Sequence, residues 1–113
     1  MAVANCLSAV LSGVPIFHST INGLGEFAGL AATEECATAI EVHAGMKLGL
    51  NYDKLQEASR LISRITGIPI PPGKPITGKA AFAIPETLEI QQFMYELHLE
   101  GRLDDAMPLP PHL

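Results

Sequence analysis

Three glycines in seven residues, Gly23, Gly25 and Gly29, stand between the run Ile16-Phe17-His18-Ser19-Thr20-Ile21 and an amphipathic segment that opens at Leu30. Glycine removes the Cβ where a backbone must take positive φ or let a ligand approach closely, and a helix N-terminus beyond it offers free N–H groups to an anion. The order is therefore strand, functional loop, helix, and residues 20–29 are the leading candidate site. On a strand, Thr20 and Asn22 fall on one face and Ser19 and Ile21 on the other. Asn22 at the strand end can bond a ligand or the loop backbone, and the backbone is the favoured partner.

The flanking sequence reads as helices. Val3, Leu7, Val10 and Leu11 share one face over residues 2–12, and Gly13 and Pro15 stop that helix. From Leu30 to Leu48, Cys36, Ile40, His43 and Lys47 mark one line, with Ala39, Val42 and Met46 beside it and Glu34 and Glu35 at the positive end of the dipole. Residues 49–52 are a break. Asp53 with Gln56 has capping-box spacing, and Leu55, Ala58, Leu61, Ile62 and Ile65 predict a helix over 53–66. Prolines 69, 71, 72 and 75 make an irregular connector. A last helix opens at Pro85-Glu86, buries Leu88, Ile90, Phe93, Met94 and Leu97, and ends near Gly101, while the tail Met107 to Pro111 is extended. Four helices and one strand cannot close a sheet.

With 113 residues, 48% hydrophobic and 17% charged, the chain has the composition of one small folded domain. It lacks an apolar run of about eighteen residues and a basic N-terminal flank, so a cytoplasmic location without membrane contact is expected. Net charge is −5 and its seven Lys and Arg residues are scattered, which argues against a nucleic-acid partner. Cys6 and Cys36 lie on apolar helical segments and are read as packed thiols, not a disulfide or metal pair. His18, His43, His98 and His112 have no metal-site spacing and are read as structural. Gly73 to Ala80 approaches a phosphate-binding loop, but Ala80 lacks the hydroxyl and prolines replace the preceding strand. Gly23-x-Gly25-x-x-x-Gly29 misses the dinucleotide fingerprint by one residue.

Asn22-Gly23-Leu24-Gly25-Glu26 with Ala28-Gly29, leading into a helix that holds Glu34-Glu35, resembles the eighth βα unit of the isopropylmalate, homocitrate and citramalate synthase family. Those enzymes are metal-dependent, use acyl-CoA in a Claisen condensation and are built on a (β/α)8 barrel. Residues 2–10 are similar to the helix after the family's His-x-His-Asn-Asp motif, and 59–67 and 78–83 to the helix and loop after the barrel. The resemblance implies an α/β fold: the C-terminal fragment of a TIM barrel over residues 1–50 (helix 7, strand 8, helix 8) and a helical linker subdomain over 51–113. An isolated chain of this kind is mainly helical. It also implies a catalytic role for Glu26 and substrate binding at Thr20, Asn22, Gly23, Gly25 and Gly29.

In that family a first-strand Asp, two His and, in many members, an Asn hold a divalent metal. The first three have no counterpart in this chain and Leu30 stands at the Asn position, so no metal ligand is assigned. Phe27 replaces an Arg, and Ile84 and Glu89 stand where the family commonly has His. The expected activity is that of a fragment or subunit of an acyl-CoA:2-oxo acid acyltransferase, either truncated or completing a barrel from a second polypeptide, and inactive alone. Its partners would be acyl-CoA, the 2-oxo acid, the rest of the barrel and further copies. The alternatives are a non-catalytic helical association module, or lyase chemistry on the same barrel, as in hydroxymethylglutaryl-CoA lyases.

Overall fold

The computed structural model describes residues 1–83 and 88–101. Among these, the helices are α1 (Ala2–Leu11), α2 (Thr33–Ala44), α3 (Tyr52–Thr66) and α4 (Leu88–Leu99), with a 3-10 turn at Ile21–Gly23. They fall into two compact units: Met1–Ala81 carries α1 to α3, and Phe82–Leu113 carries α4. The expected helix start at Pro85-Glu86 and the tail from Met107 to Pro111 lie outside the described residues. In its own unit, α4 ends where Gly101 turns to φ 68° and donates its N–H to the His98 carbonyl at 3.1 Å.

Helix α2 is the centre of the first unit and packs on both α1 and the 3-10 turn, and α3 packs on the same turn. Ala31, Ala32, Cys36, Ala37 and Ile40 are buried there, and such small side chains let neighbouring backbone come close. On α1 the expected face forms with Val3, Leu7 and Val10 half-buried, whereas Leu11 is exposed. α2 is shorter than the apolar line predicts. It starts at Thr33, and Gly45 in the left-handed region at φ 65° ends it after Ala44, leaving Met46, Lys47 and Leu48 exposed. α3 has its expected span but another cap: the Asn51 side chain accepts from the Lys54 N–H, so Asp53 lies inside the first turn.

The expected strand over Ile16 to Ile21 is corrected. Among the described residues it shrinks to one parallel bridge, Thr20 to Ala32, in which Thr20 donates to the Ala31 carbonyl at 3.0 Å and its own carbonyl accepts from Thr33 at 2.9 Å. Ile21 belongs to the 3-10 turn instead. A strand needs a neighbour to satisfy its ladder of N–H and C=O groups, and among the described residues only Thr20 has one.

Candidate functional site

The glycine loop is closed at its base by main-chain bonds. Gly23 donates to Thr20 at 3.1 Å, Leu30 donates to Gly23 at 3.0 Å, and at the tip Gly29 donates to Glu26 at 2.9 Å. Gly29 sits at φ 92°, and a Cβ there would collide with the Gly23 carbonyl oxygen, so only glycine allows this closure. Two residues without that freedom share the left-handed region, Asn22 at φ 62° and Phe27 at φ 56°. Asn tolerates it, whereas an aromatic side chain there stores strain, and Phe27 is fully exposed.

Behind the loop lies a buried polar network. Both carboxylate oxygens of Glu34, which is 0% exposed, accept from the Asn22 N–H at 3.1 and 3.2 Å. The Lys74 ammonium pairs with Glu34 at 3.0 Å and also with Glu35. The Asn22 side chain donates its Nδ2 to the Ser59 carbonyl at 2.9 Å and accepts from the Ser59 hydroxyl. Burial acts to lower the Lys74 pKa, but the hydrogen bonds and charges of Glu35 and Glu34 outweigh it and hold the ammonium above its ordinary value. A cleft of about 400 Å³ opens beside this network, lined by Asn22, Gly23, Leu30, Glu35, Lys74 and the first turn of α1.

The residues expected at the site are brought together, and their polar atoms are largely engaged within the protein. The Thr20 hydroxyl donates to the Leu24 carbonyl at 2.6 Å. Asn22 is tied to α3 rather than to the loop backbone. Gly23, Gly25 and Gly29 form the loop, and the Glu26 side chain is exposed on it. Sequence reasoning missed Glu34, Ser59 and Lys74. For Glu34 a signal existed: it precedes Ala37 by three residues and Thr38 by four, all on the buried face of α2. Ser59 and Lys74 are 37 and 52 residues from Asn22, and no local pattern links them to it.

The thiols of Cys6, half-buried, and Cys36, buried, are both free. Burial pushes the Cys36 thiol up to about 12, reinforced by Cys6, Glu35 and Glu34. Tyr52, whose hydroxyl reaches the Ala37 carbonyl at 3.4 Å, is likewise raised to about 12 by burial and then by Glu41. His18, His43 and His98 are exposed. Among the described residues no three His, Cys, Asp or Glu side chains could together hold a metal ion, so the donors present do not fit one. In the phosphate-loop lookalike, Lys74 is turned onto Glu34 and Glu35. No helix among the described residues is long and apolar enough to cross a membrane.

One parallel bridge, a glycine loop and the helix it feeds form a loop-to-helix unit among otherwise helical described residues. The HMGL-like family matches residues 1–62, which include this unit, and the chain belongs to that TIM-barrel family. It is 47% identical over 83 residues to a probable 2-isopropylmalate synthase of Ignicoccus hospitalis, covering 74% of this chain and 21% of that protein. Similarity is equally high to the homocitrate synthases of Saccharolobus islandicus (46% over 82 residues) and Saccharolobus solfataricus (48% over 82 residues), each covering 73% of this chain and 18% of the relative. The chain thus spans about a fifth of the length of these curated relatives.

Proposed function

We propose that this chain supplies the last βα unit of a (β/α)8 barrel, residues 1–50, and the helical linker that follows, residues 51–113, of an enzyme that condenses an acyl-CoA with a 2-oxo acid. The observation that carries this reading is the glycine loop, closed on itself and anchored from behind, inside the stretch matched to the HMGL-like family. The exposed Glu26 carboxylate is the group on the loop free to exchange a proton with a substrate, and is assigned the catalytic role. Gly23, Gly25 and Gly29 let the loop backbone approach the substrate. Thr20 and Asn22 contribute by shaping the wall, since their side chains are already bonded within the chain.

In this reading the chain acts only with the remaining strands, from the same or a second polypeptide, and the assembled enzyme works in the cytoplasm as a homo-oligomer. The exposed Leu11, Val14 and Ile16, next to a segment whose only ladder contact among the described residues is at Thr20, support burial against such strands. The complete enzyme would use a divalent metal, and Leu30 stands where many members of the family have an Asn ligand.

The test supplies the chain with an acyl-CoA, a 2-oxo acid and Mg2+, alone and after co-expression with the part of one of the synthase relatives that precedes the stretch this chain matches, reading free CoA by chromatography. No release by the chain alone and release by the assembled complex are expected. Turnover by the chain alone, or an assembled complex that is inert, would overturn the reading.

A further inference from the structure

Asn22 holds the left-handed conformation that starts the glycine loop, and its N–H has the Glu34 carboxylate as partner. A fully buried carboxylate held by one backbone amide is an under-compensated charge. Lys74 supplies the counter-charge, from a segment beyond the 62 residues that match the family. That lysine is placed by its own turn. Lys74 donates its N–H to Pro71 at 3.0 Å, Gly78 donates to the Lys74 carbonyl at 2.9 Å, and Ala80 donates to Pro72 at 2.8 Å. A Cβ on Gly78 would collide with the backbone of Pro72 and Lys74, so the turn requires glycine there.

We propose that Lys74 is a positioning residue for the glycine loop: through Glu34 it fixes the Asn22 amide, so that the proline-rich connector after α3 sets the loop's geometry. The chain of contacts runs from Gly78 to the 71–80 turn, to the Lys74 ammonium, to the Glu34 carboxylate and to the Asn22 N–H. Glu35 shares the ammonium but has no bond to the loop among those described, so Glu34 is the member that transmits the position. The functional weight of this inference rests on the loop reading given above, whereas loop order itself can be measured without substrate.

The experiment is amide hydrogen exchange, resolved by residue, on the intact chain and on K74M, K74R and G78A, with K54M as a control at an exposed ion pair. In K74M, exchange at Asn22, Gly23, Gly29 and Leu30 is expected to rise about tenfold or more, while amides inside α1 and α3 change less than about threefold. K74R is expected to restore protection, and K54M to leave it unchanged. Unchanged loop exchange in K74M, or an equal rise throughout the unit, would refute a positioning role. Should K74M fail to fold, G78A decides: it keeps both charges and displaces only the turn, and the same loop-selective opening is required. A negative result leaves the acyltransferase reading standing, and an inert enzyme complex leaves the exchange result standing.

Discussion

Glu34 is the residue on which most of the local order depends. Removing one partner of a buried, hydrogen-bonded ion pair costs about 3–5 kcal/mol, because the other charge is left without compensation. Glu34→Ala is therefore expected to lower the denaturation midpoint severely, whereas breaking the exposed Lys54–Glu57 pair, 2.9 Å apart, should change stability by less than about 1 kcal/mol. Urea titrations of both variants check the contrast. Titration adds a second expectation. Cys36 and Tyr52, raised to about 12 from 9.0 and 10.0, and Lys74, raised above 10.5, bind more protons folded than unfolded in the alkaline range. Their contribution is complete below pH 9 and is lost progressively as pH rises from 9 toward 12. Midpoints measured from pH 8 to 11.5 should fall, and Cys36→Ala should remove the earliest part of the fall.

At the scale of elements, α2 and α3 hold the loop in different ways. α2 presents a buried face of Cys36, Ala37, Thr38 and Ile40 and packs on α1 and the 3-10 turn, and α3 presents Ser59, 0% exposed, to Asn22. Ser59→Ala leaves the half-buried Asn22 without the donor to its Oδ1, a loss of at most about 1–3 kcal/mol. It should also free the turn at Ile21–Gly23, read as faster amide exchange there. The cap of α3 is a smaller term: Asn51→Ala is expected to cost about 0.5–2 kcal/mol and Asp53→Ala less, since only Asn51 satisfies an N–H of the first turn. Circular dichroism during thermal melting separates the two. The sequence places the cap at Asp53 because capping-box spacing to Gln56 is visible there. What decides it is where the helix begins, and residue 51 already carries the extended φ of −88° and ψ of 101°.

For the molecule as a whole, the first unit has a modest core: Ile40, 1% exposed, is the largest of its fully buried side chains. Ile40→Ala is expected to cost about 2–5 kcal/mol and to melt α1 away from α2, read as loss of helical signal together with increased alkylation of Cys36. Much of this was written in the chain. Apolar periodicity over residues 2–12 and 53–66 determined α1 and α3, because these are local backbone preferences, whereas the apolar line from Leu30 to Leu48 overran α2, which Gly45 ends in the left-handed region. The spacing of Gly23, Gly25 and Gly29 determined a closed loop before a helix, and the wording from Asn22 to Gly29 pointed to the family that residues 1–62 match. Tertiary structure alone decided that, among the described residues, the run before the loop pairs only at Thr20, since a strand is defined by partners that no local pattern contains. It also decided that Glu34, Ser59 and Lys74 converge on Asn22, because a buried charge is satisfied by whatever the fold brings within hydrogen-bond reach, however far away in sequence.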